Sequence, residues 1–138
     1  MPDVHSTEKR SFNMSRIKGK NTKPEIQVRK FLFAQGLRYK IHDKNLPGRP
    51  DMVFPKFKKV VCINGCFWHG HDGCNFFVIP QTKTEWWLKK ISDTKRRDVK
   101  NVLELEARGW TVITIWECEL KPATKNAALN LLLNKIVA

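Results

Sequence analysis

The sequence predicts a single α/β domain in which helices flank a central mixed β-sheet. The length of 138 residues suits one modest hydrophobic core rather than two domains. Segments with helical spacing alternate with short runs rich in β-branched residues, in the order helix, three strands, helix, strand, helix. A short loop rich in cysteine and histidine further predicts a structural metal site in this domain.

The first helix is expected to begin in the segment 21–25 and to end at Gly36. Thr22 or Lys23 would cap it, and Pro24 suits its first turn. Three short strands follow at residues 37–41, 52–54 and 60–63, and a turn rich in Pro and Gly separates the first two.

The C-terminal half adds a helix, a strand and a final helix. Thr84 is expected to cap a helix that starts at Glu85, and a helical pattern resumes over residues 93–108. Residues 110–116 are β-branched or aromatic throughout, which predicts a central strand. Residues 123–137 form the last predicted helix.

The chain carries a net charge of +13, from 26 Lys and Arg against 13 Asp and Glu. This excess suits a polyanion such as nucleic acid, although a solvated basic surface is the alternative. Residues 1–20 are polar and basic and are expected to form either a short helix or a mobile arm, and as an arm they would contact DNA. Without an apolar run of roughly 20 residues or a signal peptide, the protein is expected to be cytoplasmic, with no membrane partner and with reduced thiols.

Four side chains form a predicted zinc set: Cys66, His71, Cys74 and Cys118. Thiolate and imidazole suit Zn²⁺, and four protein ligands leave no open position, so the ion would be structural. The alternative is that the cysteines only pack in the core, which fits Cys62 best because it lies in an apolar strand.

His69 stands two residues before His71, so the two rings would point in opposite directions in an extended loop. His69 is then free to act as a general base, although the two histidines could exchange roles. The neighbouring Phe67 and Trp68 either stack on bases or form a small core over the metal. Trp86 and Trp87 pose the same choice, and one of that pair is expected in the core.

Asp51 follows Pro50 at the start of a predicted strand, where its carboxylate could hold Mg²⁺. Pro-Asp opens the nuclease motif PD-(D/E)xK, although an aspartate in a turn is more often a turn former. The second acid and the lysine of that motif are missing from residues 61–65, so the backbone carbonyl of Ile63 would be the second metal ligand. Glu25 is either another active-site acid or a complement to the helix dipole.

The chain contains the motifs D-V-H, N-T-K-P-E, L-P-G-R-P-D, G-C-F-W-H-G-H, T-E-W-W-L-K-K-I, R-R-D and G-W-T-V-I-T-I-W-E-C-E-L. These motifs, from about Val4 to Leu120, resemble those of the very-short-patch repair (Vsr) endonucleases. The resemblance implies a restriction-endonuclease-like fold of the PD-(D/E)xK type, with residues 21–138 as the endonuclease domain. It also implies a Mg²⁺-dependent nick in double-stranded DNA, 5′ to the T of a T·G mismatch left by deamination of 5-methylcytosine.

Carried over residue by residue, the resemblance makes Asp51 the Mg²⁺ ligand, His69 the catalytic histidine and Glu25 the acid at the helix start. Asp98 aligns with an acid that orients His69. The zinc ligands fall on the four side chains already named. The resemblance also assigns side chains that insert into DNA: Phe67, Trp68, Trp87 and, from the N-terminal arm, Met14.

This chain departs from some relatives at Ile63-Asn64, where they have Thr-His, at Val61-Cys62, and by one residue inserted before Cys74. A role for the carbonyl of residue 63 survives the change, but Asn64 cannot replace a titrating histidine. Two alternatives remain: a restriction endonuclease that cuts both strands, and a non-catalytic, zinc-stabilised DNA-binding module. A bacterial, nucleoid-associated monomer is expected, and repair proteins that act after the nick are further partners.

Overall fold

The computed structural model describes residues 22–75 and 77–138. The predicted N-terminal arm, residues 1–20, and Met14 within it lie outside the described residues. None of the helices in the described part of the chain is long and apolar enough to cross a membrane.

Helix α1, Lys23–Ala34, begins after Thr22, which occupies the N-cap position with extended backbone, and Pro24 stands in its first turn as predicted. No side-chain hydrogen bond from Thr22 caps the helix. Val28 and Leu32 point into the core, and the chain leaves the helix through Gly36 in the left-handed region, with φ +87°.

Four strands form one sheet in the order β1–β2–β3–β4: Lys40–Ile41, Met52–Phe54, Lys59–Asn64 and Thr111–Trp116. The pairs β1–β2 and β2–β3 are antiparallel, whereas β3 and β4 run parallel. The predicted central position of β4 is wrong, because among the described residues it pairs with β3 alone and forms an edge. After Trp116 the chain enters a 3-10 helix and then a helix, so the described residues supply no further strand beyond β4. Thr111 and Thr114 of this strand are exposed, whereas Ile113 and Ile115 are buried.

Helix α2, Thr84–Ala107, connects the parallel strands β3 and β4 as one continuous helix of 24 residues rather than two predicted segments. Thr84 does not cap it: Lys83 holds the N-cap position, and the Thr84 hydroxyl donates to the carbonyl of Pro80 at 2.9 Å. After β4, a short 3-10 helix at Glu117–Leu120 leads to helix α3, Lys125–Val137.

The sheet separates two hydrophobic clusters, which makes the domain a helix–sheet–helix sandwich. Alternation along β2 sends Met52 and Phe54 into the larger cluster with α1 and α3, and Val53 into a smaller cluster with Leu105 of α2. The predicted order of elements and the mixed α/β architecture are therefore confirmed.

Candidate active site and metal centre

A cleft of about 1040 Å³ lies where α1 begins, β2 begins and β3 ends. Six predicted site residues are among those that line this cleft: Glu25, Asp51, Ile63, Trp68, His69 and Asp98. Glu25 comes from the first turn of α1, Asp51 directly precedes β2, and Asp98 lies on α2. The fold thus brings residues from distant parts of the chain to one cavity.

The carboxylate of Asp51 is fixed by the neighbouring strand, because its Oδ2 accepts a hydrogen bond from the backbone N–H of Ile63 at 2.6 Å. Burial, as the largest cause, and the nearby charge of Glu25 together raise the pKa of Asp51 to about 6. The Ile63 N–H and His42 act in the opposite direction and lower this pKa. A bound cation would stabilise the ionised form of a carboxylate whose pKa is raised in this way.

Glu25 is a buried carboxylate, with 3% of its surface exposed. Its Oε2 accepts a hydrogen bond from Arg29 Nη2 at 2.6 Å and lies 2.9 Å from His42 Nε2. One donor atom from each of Glu25, His42 and Asp51 lies within 4.8 Å of the others. Helix-dipole complementation alone does not explain this position, since a carboxylate that serves only the dipole needs no burial.

His69 pairs with Asp98, and the two atoms His69 Nδ1 and Asp98 Oδ2 are 2.7 Å apart. A carboxylate at Nδ1 holds the proton on that nitrogen and leaves Nε2 as the basic nitrogen of a neutral imidazole. The pair therefore has the geometry of a general base with its orienting acid.

The second centre lies directly after β3, where Cys66, His71, Cys74 and Cys118 place one donor atom each within 4.8 Å of one another. The parallel register sets Asn64 opposite Trp116, so the loop after β3 meets the 3-10 helix after β4. The Cys118 backbone N–H donates to Cys66 Sγ at 3.4 Å, and Cys118 Sγ lies 3.5 Å from His71 Nδ1.

Three thiols and one imidazole are a donor set that fits Zn²⁺ with no position left for water. Cys66 is 1% exposed, and burial raises the pKa of its thiol to about 12. A bound cation would displace these protons, so binding is coupled to proton release. The structure brings His71, and not His69, to the three thiols.

Known proteins similar to this chain share one family. Residues 2–75 match the family model described as "DNA mismatch endonuclease Vsr". The type II nicking enzyme V.NmeAIP of Neisseria meningitidis is 54% identical over 88% of this chain and 86% of its own length. The type II nicking enzyme V.XorIIP of Xanthomonas oryzae is 42% identical, over 87% and 88%. The DNA mismatch endonuclease Vsr of Escherichia coli is 41% identical, over 91% and 80%.

The chain belongs to the Vsr family. It is therefore an enzyme, a nicking DNA endonuclease, and its substrate is DNA. A non-catalytic DNA-binding module, which the sequence alone left open, is excluded by these relatives.

In this Vsr-family chain the aromatic residues after β3 form one cluster on the outside of the domain. The ring centroids of Phe67 lie 5.2 Å from those of Trp68 and Trp87, and Trp86 lies 4.8 Å from Trp87. The prediction that Trp86 or Trp87 belongs to the core is wrong, because Trp86 is 54% exposed and Trp87 is half-buried. At the start of α2, Trp87 packs on Phe67, Trp68 and Trp86 and belongs to neither hydrophobic core cluster.

Two side chains of this Vsr site were missed from the sequence. His42 joins Glu25, which lies 17 residues earlier, and no local spacing marks that pairing. Trp116 stacks on the ring of His71, with centroids 4.0 Å apart and planes inclined by 5°, and it lies 6.4 Å from His69. The motif W-E-C-E could have pointed to Trp116, since the register of a parallel neighbour places it beside the metal loop.

Substitution of Gly70 by alanine should lower the free energy of unfolding by about 2–4 kcal/mol. The cost of a left-handed backbone at a residue other than glycine adds to the cost of a steric clash with α2. Gly70 has φ +60°, and an added Cβ would lie 2.6 Å from Ile91 Cγ2 and 2.5 Å from Lys95 Cε on α2. Gly73→Ala is the matched control, since Gly73 has φ +71° but nothing within 4 Å of the added Cβ, so that only the backbone cost of about 1 kcal/mol applies. Urea unfolding measures both, and equal losses would contradict the packing of Gly70 against α2.

Proposed function

We propose that this enzyme nicks double-stranded DNA 5′ to the T of a T·G mismatch that arises from deamination of 5-methylcytosine, in a Mg²⁺-dependent reaction. The observation that carries the proposal is that Asp51 and the His69–Asp98 pair line the same cleft. A carboxylate that can hold a cation and an oriented imidazole that can take a proton are groups suited to phosphodiester hydrolysis.

Asp51 and the backbone carbonyl of Ile63 would hold Mg²⁺ together with phosphate oxygens of the substrate, because Mg²⁺ prefers hard oxygen ligands. When bound, the ion would polarise the phosphodiester and neutralise its developing charge. The hydrogen bond from the Ile63 N–H keeps the Asp51 side chain turned toward the end of β3. We assign the domain to the restriction-endonuclease-like class of the PD-(D/E)xK type on this placement of Asp51.

His69 would accept a proton from the attacking water at Nε2, and Asp98 would stabilise the imidazolium that forms. Glu25, buried beside Asp51, is a further active-site acid. Asn64 has no titrating group, so the roles of base and metal ligand fall to residues other than residue 64.

Zn²⁺ held by Cys66, His71, Cys74 and Cys118 would fix the loop that carries Phe67 and Trp68, and these two rings would enter the base stack together with Trp87, which packs on Phe67 from the start of α2. A T·G pair costs less to unstack than a matched pair, which favours its selection by a wedge. The basic arm, residues 1–20, would insert Met14 from the minor-groove side, and residues 21–138 would form the endonuclease domain. A monomer suffices to cut one strand. The expected setting is the bacterial cytoplasm at the nucleoid, with repair proteins acting after the nick.

The decisive test is a nicking assay on two duplexes that differ only in one T·G mismatch, with Mg²⁺ and with EDTA. We expect a single-strand nick 5′ to the mispaired T with Mg²⁺ and intact strands with EDTA. Cleavage of both strands of the matched duplex would instead assign a restriction endonuclease, and unaltered activity in EDTA would refute the Mg²⁺ assignment.

A further inference from the structure

His42 lies in the catalytic cleft with the geometry of a metal ligand. Its Nε2 is 2.9 Å from Glu25 Oε2, and both residues offer a donor atom within 4.8 Å of one from Asp51. Two adjacent ligands of an octahedral ion at about 2.1 Å stand about 3.0 Å apart. The two atoms therefore have the separation that a shared cation would require.

The backbone holds His42 in this place at a conformational cost. Its φ of +49° lies in the left-handed region, which residues other than glycine seldom adopt, although histidine tolerates it better than most. The His42 N–H donates to the carbonyl of Asp51 at 3.4 Å, which ties the residue to the start of β2. Such strain is concentrated at functional sites, where the surrounding structure compensates for it.

We propose that Glu25, His42 and Asp51 form a three-residue cation site in which His42 supplies a nitrogen ligand, so that the site binds Mn²⁺ more tightly than Mg²⁺. The inference deepens the proposed function, because it rests on a cation at Asp51. Mg²⁺ takes oxygen ligands and dehydrates reluctantly, whereas Mn²⁺ binds nitrogen and oxygen sites more readily.

Arg29 supplies the positive charge that such a cluster needs before a cation binds. Its Nη2 lies 2.6 Å from Glu25 Oε2 and 3.4 Å from His42 Nε2. Arg29 lies on α1 one turn after Glu25, so the helix itself places the guanidinium beside the carboxylate. A cation that binds His42 and Asp51 competes with this guanidinium for Glu25, which would keep the site selective for ions with a strong affinity for nitrogen.

The experiment is a titration of the full-length, zinc-loaded protein with Mn²⁺, followed by electron paramagnetic resonance, with Mg²⁺ affinity measured by competition. His42→Asn removes the imidazole while asparagine still tolerates the left-handed backbone. We expect Mn²⁺ to bind at least about tenfold more weakly to this variant, and Mg²⁺ to lose less than about threefold. The ¹⁴N coupling of an imidazole to bound Mn²⁺ should be present in the natural protein and absent in the variant.

Asp43→Asn is the matched control, since Asp43 is the next residue in the same loop and lies outside the three-residue cluster. Its side chain accepts a hydrogen bond from the Asn45 N–H, which asparagine can also accept. This variant should bind Mn²⁺ as the natural protein does. Unchanged Mn²⁺ affinity in His42→Asn, or equal losses for Mn²⁺ and Mg²⁺, would overturn the inference.

Nicking is measured separately with each ion, so that the two proposals can fail separately. Cation-dependent nicking by a natural protein without ¹⁴N coupling would remove His42 from the site and leave the proposed function standing. A protein that shows the coupling but does not nick the mismatched duplex would retain the cation site and refute the proposed function.

Discussion

Asp51→Asn should abolish nicking while DNA binding persists. Asparagine keeps an oxygen that can accept the Ile63 N–H but loses the negative charge that would hold Mg²⁺. If the cation contributes several kcal/mol to the transition state, the rate should fall at least about 1000-fold. Single-turnover nicking and a binding assay on the same mismatched duplex measure the two properties. Retained cleavage in this variant would remove Asp51 from the catalytic machinery.

The same substitution should stabilise the protein in the absence of added Mg²⁺. Burial raises the pKa of Asp51 from 3.8 to about 6, so the folded state binds this proton more tightly than the unfolded state. The resulting stability is fully present below about pH 4 and is lost as the pH rises through about 6. At pH 7.5, the free energy of unfolding of Asp51→Asn should therefore exceed that of the natural protein by roughly 3 kcal/mol, and the gain should shrink to below about 1 kcal/mol at pH 4. A pH-independent difference would contradict the burial of an ionised carboxylate.

The second large effect is expected for Cys118→Ser, which removes one of the four predicted zinc ligands. Cys118 lies 52 residues after Cys66, so its loss disconnects the loop after β3 from the end of β4. We expect the zinc content to fall from one equivalent to a small fraction, and the free energy of unfolding to fall by at least about 3 kcal/mol. Atomic emission gives the metal content, urea unfolding gives the stability, and amide hydrogen exchange should show the loss at residues 65–75.

Cys62→Ala is the control for that experiment, because it also removes a thiol but lies in β3 outside the cysteine–histidine cluster. It should keep its zinc. If Cys118→Ser retained its full zinc content and had the same free energy of unfolding as the natural protein, the assignment of four zinc ligands would be wrong.

Local signals in the sequence predicted much of the fold. Pro24 marked the start of α1, and β2 at Met52–Phe54 was predicted to the residue because a turn rich in Pro and Gly precedes it. The position of β4 at the edge could not be read in the same way. A run of β-branched residues suits a central strand and an edge strand equally well, and the pairing that distinguishes them depends on distant parts of the chain.

In the active site, too, local sequence signals predicted some residues, whereas others depend on contacts between distant parts of the chain. Residue type and motif predicted Asp51 and the cysteines. The resemblance to relatives supplied Asp98 as the partner of His69. His42 left no such signal, because its role depends on the approach of α1 to β2 and on a left-handed backbone. Side chains whose chemistry arises from contacts between elements can be recognised only when the elements are assembled.

The short distance in sequence between the two centres at the end of β3 affects when, after synthesis, the enzyme can cut DNA. β3 ends at Asn64 beside the nuclease cleft, and the loop that follows carries His69 between two members of the cysteine–histidine cluster, Cys66 and His71. On the proposed roles, a newly synthesised polypeptide that has not yet acquired zinc has no ordered base beside its carboxylates. Zinc binding would then be required before the enzyme can cut DNA.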